Sequence, residues 1–241
     1  MHLAKGKGLP ILWPMTDRRV LHTYLRPLHE LFEEHGHPAI AHGQQAYMKG
    51  NFPFHGIKTP ERRRLMGVFT ERYGPPPTDE LAAIVRSAWS VDEREMHYAG
   101  MEFLASKGKE LDAAWLPLAE EIILQHSWWD TVDFIAVQVV GTILLRHRDQ
   151  LPVWNRRLMS GTKPWSLRTA IILQLLWKER TDERLLFRNC AALADHPDFF
   201  IRKGIGWALR HYARTSPDAV RRFVAAHQLS PLSRREALKH L

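Results

Sequence analysis

Apolar residues recur at three- and four-residue steps along most of this 241-residue chain, and that period confines it to helices. The pattern is clearest in Val20 to Phe32, Leu81 to Trp89, Met96 to Leu104, Leu116 to Leu124, Val132 to Leu145, Leu167 to Trp177 and Ile201 to Tyr212. Signals that stop one helix and start the next stand between them. They are Gly74 with Pro75, Pro76 and Pro77, then Ser127, Pro152, Pro164, Asp182, Pro197, Ser216 with Pro217, and Pro231. No alternating stretch with a hairpin turn competes, so the fold expected is all-α. These separators are too short to be an interdomain linker. One helical domain over residues 17–241 is expected, behind an N-terminal extension of residues 1–16.

Laid over one another, the best helices place Val132-Asp133 on Leu167-Arg168 and that pair on Ile201-Arg202, at steps of 35 and 34 residues. This is a solenoid period. Identity between the units is weak, which leaves open a plain succession of amphipathic helices of similar length. If the period is real, Asp133, Arg168 and Arg202 fall together on one concave surface.

A hydrophobic content of 45% is enough to bury a large core, and 34 Lys and Arg against 26 Asp and Glu leave a net charge of +8. Such a surface attracts polyanions, and nucleic acid is the first partner to consider. The single cysteine, Cys190, rules out a disulfide framework and a cysteine-rich metal site and fits a reducing, cytoplasmic setting. Pro10 and Pro14 interrupt the first residues, whose apolar run is too short for a signal peptide or membrane anchor.

Three helices carry the chemistry. With Asp198 to Thr215 read as one helix, Ile201, Ile205, Ala208 and Tyr212 form the core-facing stripe, and Trp207 falls opposite with Lys203, Arg210 and Arg214. An indole among three cations is either packed under a neighbouring helix or part of a nucleic-acid surface, where cations hold phosphates and the aromatic meets sugar or base. The segment Ser127-Trp128-Trp129-Asp130-Thr131-Val132-Asp133 opens a second helix. Here Ser127 is expected to cap and Asp130 to serve the helix N-terminus. Asp133 shares a face with Trp129, Ala136 and Val140 on an otherwise apolar helix. A carboxylate there needs a partner such as Arg168 or a solvated groove and a ligand. After Pro164, Arg168 shares its face with Ile172 and Leu175 and carries the same ambiguity.

At these residues the chain resembles the AlkD family of bacterial DNA alkylation repair glycosylases. The resemblance rests on SWWDTVDF at 127–134, LRTAI at 167–171 and FIRKGIGWALR at 200–210, together with YMKGNFPFHGIKTPE at 47–61 and SPLSRREAL at 230–238. It implies a HEAT-like helical repeat whose basic concave face binds double-stranded DNA containing alkylated bases. By resemblance, Trp129 and Trp207 flank the lesion's deoxyribose, Asp133 is the catalytic carboxylate, Arg168 lies beside it, and Tyr47 is a further groove residue. Lys203, Arg210, Arg214 and Arg202 are the expected DNA-binding cations, and a monomer is expected.

The expected chemistry is simple. A purine alkylated at N3 or N7 is cationic, so it leaves without a proton from the enzyme. One carboxylate then suffices to oppose the charge that develops on the sugar and to hold the attacking water. Indole faces add cation–π stabilisation. No lysine is placed for a Schiff base, and the resemblance implies recognition without base flipping.

Other motifs carry less. Neither His35-Gly36-His37 nor His147-Arg148-Asp149 has zinc-ligand spacing, so no metal and no cofactor is expected. Arg62-Arg63-Arg64 reads as a solvated helix face or a phosphate contact. Two other classes stay open, a non-catalytic HEAT-like scaffold and a plain DNA-binding module. Asp133 discriminates, because a phosphate surface gains when a carboxylate is removed and a glycosylase loses its activity.

Overall fold

A computed structural model describes residues 21–241, so the expected extension at 1–16, like Val20, lies outside the described residues. The described residues form helices and no strand. In chain order the α-helices are α1 (Arg26–Glu34), α2 (Pro38–Tyr47), α3 (Thr59–Tyr73), α4 (Leu81–Trp89), α5 (Arg94–Ser106), α6 (Leu116–Leu124), α7 (Trp129–Phe134), α8 (Gly141–Arg146), α9 (Leu151–Met159), α10 (Pro164–Ile172), α11 (Glu183–Ala192), α12 (Phe199–Tyr212), α13 (Pro217–Ala226) and α14 (Pro231–Ala237). A π-helical turn, Ile135–Val140, joins α7 to α8.

Proline explains where many of these helices begin. It occupies the first or second position of α1, α2, α3, α6, α9, α10, α13 and α14. There its fixed φ suits the helix and its missing N–H costs nothing. Side-chain caps serve others. Asp182 accepts from Leu185 N at 3.0 Å, and Asp198 accepts from Phe200 N and Ile201 N at 2.7 and 3.1 Å. Ser127 does not cap α7: its hydroxyl donates to Ile123 O instead, and Trp128 stands in the cap position without a side-chain bond.

The repeat is plain in these boundaries. Helices α3, α5, α7, α10 and α12 begin at residues 59, 94, 129, 164 and 199, a constant step of 35 residues. Their partners α4, α6 and α9 keep the same step, beginning at 81, 116 and 151. This is the signature of stacked helical units. Counted from the helix starts, Asp133 and Arg168 are equivalent to Lys203. The shorter step that equated Arg168 with Arg202 slips by one residue, and a slip of one turns a side chain by about 100°.

One large core cluster runs from Leu25 through Leu185, and a second, built on Ile171, Ile201, Ile205, Leu209 and Val220, closes the C-terminal units. The expected helix from Leu167 to Trp177 ends early, at Ile172. The turn that follows brings Leu173 O against Gly141, where a Cβ would come within 2.2 Å of it. It also lets Trp177 Nε1 donate to Gly141 O at 2.9 Å. No described helix is long and apolar enough to cross a membrane.

Candidate active site

The helix carrying Asp133 is fixed first at its start. His126 takes a left-handed backbone, φ 47°, and its carbonyl accepts from Arg94 Nη1 at 2.8 Å. Arg94 is fully buried and forms a bidentate pair with Asp130, Nε to Oδ2 at 2.9 Å and Nη2 to Oδ1 at 2.6 Å. It also donates to Thr131 Oγ1, meets His97 Nδ1 at 3.0 Å and stacks on Phe52 at 3.8 Å. Burial, helped by the Arg94 charge, holds His97 well below the usual histidine range, so its Nδ1 is free to accept. Asp130 takes a further bond from Tyr98 Oη at 2.6 Å. With three bonds, two of them from a fully buried arginine, Asp130 is a structural anchor.

Asp133 differs. Arg168 donates to it through Nε and Nη2 at 2.6 and 2.7 Å and sends Nη1 to Phe200 O at 2.5 Å. Arg168 is the only hydrogen-bond partner of the Asp133 carboxylate among the described residues. The Asp133 side chain keeps 16% of its surface open, against 8% for Asp130. Burial pushes the Asp133 carboxyl above the usual carboxylate range, outweighing the downward pull of Arg168. A carboxylate with open lone pairs and a cost to being charged gains from a cation placed before it.

The surrounding residues are brought together in a row. Tyr47, two-thirds exposed at the end of α2, meets Trp129 edge to face at 6.0 Å. Trp129 and Asp133 lie at i and i+4 on α7, hence on one face. Arg168 links Asp133 to Trp207, its guanidinium 5.8 Å from the half-buried indole. The close approach of α10 and α12 depends on Gly204, where a Cβ would stand 3.1 Å from Arg168 Nη1. Gly206 serves the other side, where α14 packs so tightly that a Cβ would meet Glu236 Cβ at 2.4 Å. Neither glycine was singled out by sequence reasoning. Their spacing inside a helix, where each costs about 1 kcal/mol against Ala, was the available signal.

The expected cations separate. Lys203 is exposed and lies 5.8 Å from the Phe199 ring. Arg210 is held by Glu236, Nη1 to Oε2 at 2.5 Å, and its charge is already matched. The helix ends at Tyr212, so Arg214 stands past it and not in line with Trp207. It lines a separate cavity with Lys178 and His211. Arg202 forms no side-chain hydrogen bond or ion pair with Asp133 or Arg168 among the described residues, and its Nε is buried without a partner. Arg62 is no phosphate contact: it is 3% exposed and pairs with Glu102 at 2.9 Å. An open cavity of about 330 Å³ adjoins the row, lined by Tyr47, Trp129, Phe134, Tyr98 and Arg62 among others. Asp133 is not among its lining residues.

This chain presents a carboxylate, a guanidinium and two indoles from successive helical repeats. It belongs to the DNA alkylation repair enzyme family, whose model matches residues 28–241. It is also similar to a solved structure described as a predicted DNA alkylation repair enzyme from Enterococcus faecalis. That structure is 30% identical, has a TM-score of 0.80, and the match covers 86% of this chain and 96% of the other. No curated protein matches the sequence.

Proposed function

We propose that this alkylation repair family member is a DNA glycosylase of the AlkD type. In this reading it hydrolyses the N-glycosidic bond of cationic alkylated purines, N3-methyladenine and N7-methylguanine, in duplex DNA. The observation that carries the reading is the row Tyr47, Trp129, Asp133, Arg168, Trp207, in which a half-buried, singly partnered carboxylate shares a helix face with one indole and its arginine lies against the other.

In this mechanism the bond from sugar C1′ to the alkylated base breaks, and its electron pair leaves with the base and cancels the base's charge. The sugar becomes oxocarbenium-like, and Asp133 opposes that charge while Trp129 and Trp207 present their faces to it. Water then adds to C1′, forming the new C–O bond, and its proton passes to bulk solvent. Arg168 acts through Asp133: its bidentate grip fixes the carboxylate so that little reorganisation is needed. In this reading the lesion is met without base flipping, as the resemblance to the AlkD family implies. Lys203 and Arg214 supply phosphate contacts from an exposed surface. Domain 17–241 acts as one body, as a monomer.

The test is release of free base. Methylated duplex DNA incubated with the protein and a metal chelator is expected to yield N3-methyladenine and N7-methylguanine. If only undamaged bases, or none, are released across buffers, the glycosylase reading fails.

A further inference from the structure

Away from this row, three side chains from distant parts of the chain converge. They are His29 on α1, His55 in the loop between α2 and α3, and Glu93 immediately before α5. One ligand atom from each lies within 4.8 Å of the others, and all three residues are partly buried. His29 Nε2 stands 3.9 Å from Glu93 Oε2, and the two imidazole rings meet edge to face with centroids 5.2 Å apart. The other ring nitrogen of His29, Nδ1, faces Glu33 Oε1 at 3.8 Å. At that distance Glu33 makes no hydrogen bond to the ring and adds only negative charge beside the cluster.

A second observation points to a ligand. His55 Nε2 is buried with no hydrogen-bond partner, a condition that costs free energy unless something else binds the nitrogen. The backbone around it is held firmly. His55 N donates to Glu95 Oε2 at 3.0 Å, and its carbonyl accepts from His37 N at 2.9 Å. Gly56 takes φ 93° where a Cβ would collide with His37 O at 2.1 Å. The imidazole is thus presented from a fixed frame.

We propose that His29, His55 and Glu93 form a binding site for a divalent transition-metal ion of the zinc class. Two imidazoles and a carboxylate are a donor set that suits zinc, and a fourth position is left for water. Ligands around a tetrahedral zinc stand about 3.4 Å apart, given bond lengths of about 2.0–2.1 Å, so small side-chain rotations close the present arrangement. Because the site ties α1 to the loop that follows α2, an ion there braces the hairpin carrying Tyr47. Its role is structural, and excision in the presence of a chelator stays compatible with it.

The test uses the full chain, freed of metal with a chelator, which is then removed. Titration with Co²⁺ is expected to develop visible absorption of a tetrahedral ion at one equivalent, and Zn²⁺ is expected to abolish it and raise the melting temperature. In His55→Gln and in Glu93→Gln, affinity is expected to fall at least about tenfold, with the metal-free melting temperature near that of the parent. Absence of the absorption, or an equal affinity in both variants, overturns the proposal. The latter result assigns binding to other histidines. A His35→Gln variant, altering an exposed histidine outside the cluster, is expected to bind as the parent does, and a loss there counts equally against the site.

Discussion

Two carboxylates three residues apart on one helix, Asp130 and Asp133, each receive an arginine from an adjacent repeat, and they are built for different ends. Asp130 is tied to Arg94 by two bonds and to Tyr98 by a third, while Arg94 spends its remaining donors on Thr131, His97 and the carbonyl of His126. Arg94 has no donor left, and three of the roughly four acceptor sites of Asp130 are taken. Asp133 has Arg168 alone, more open surface, and an indole on the far side of its guanidinium. A buried pair whose arginine has no donor left fixes a structure; one with donors and acceptors to spare can meet a ligand. The lesson is that pairing does not separate structural from functional charges, whereas completeness of pairing does.

The largest expected effect breaks the complete pair. Asp130→Asn leaves Arg94 buried and uncompensated, and we expect a loss of about 3 to 5 kcal/mol of stability, read as a fall of several degrees in melting temperature, with excision per folded molecule unchanged. A small shift in melting would erase the distinction drawn here. Next comes the open pair. Asp133→Asn keeps the shape, and excision in single turnover should slow about 10²-fold while affinity for undamaged duplex holds or rises. A melting loss as large as that of Asp130→Asn, with binding lost in proportion, would return Asp133 to a structural role.

Packing around the open pair gives a smaller effect. Gly206→Ala drives a methyl into Glu236 and Ser233, where backbone cannot yield, and is expected to cost about 1 to 3 kcal/mol. Gly204→Ala presses only on Arg168 Nη1, at 3.1 Å, and is otherwise in ordinary contact with Arg168 and Ile172, so melting should fall less than in Gly206→Ala while excision slows. Equal melting losses in the two variants would show that α12 does not distinguish its two sides.

Titration sharpens the comparison further. Burial raises the Asp133 pKa, and the ionised form is the acting one, so excision should decline on acidification with a midpoint above the ordinary Asp value of about 3.9. In the window between the ordinary and the raised value the folded chain holds more protons than the unfolded one. The contribution of Asp133 to stability therefore falls as pH rises through it, opposite in sign to its contribution to activity. An acid limb at or below the ordinary value would detach the rate from Asp133.

The smallest effect is at the surface. Lys203→Ala and Arg214→Ala should each lower the slope of log affinity against log salt by about 1, whereas Arg210→Ala should leave the slope alone because Glu236 already neutralises that charge. An equal loss for Arg210 would mean that DNA displaces Glu236.

Much of this was legible in the sequence because the main helices each bury a continuous apolar face. The expected stretches from Leu81 to Tyr212 fall on α4, α5, α6, the α7 to α8 run, α10 and α12. The thinner helices escaped the pattern: α2 buries only Ala41 within its length, too little to set a period. Asp133 was visible as a carboxylate on an apolar helix. Its pairing was left open; the structure gives it Arg168 as partner and leaves 16% of its side chain exposed. Arg94 and Arg62 were invisible as buried charges, because their partners lie 36 and 40 residues away and neither local spacing nor composition records such a contact. The misplacement of Arg202 has a similar origin. Weak identity between units fixes a repeat only to within a residue, and the helix starts resolve it.

The π turn at Ile135–Val140 bears on how this chain can change over generations. A π turn holds one residue more than the α turn it replaces, so the helix carries a spare residue immediately after Asp133. Deleting it would close that turn to α geometry, leave Trp129 and Asp133 in place and keep the helix beyond close to its present phase, so that Gly141 still faces Leu173 and Trp177. A residue lost from a regular α turn of the same helix would instead turn everything downstream by about 100° and move it back by about 1.5 Å. The next repeat, with Arg168 on it, would then lose its seat. A lineage can therefore change the length of this helix at the π turn, whereas elsewhere within it the residue count is held fixed.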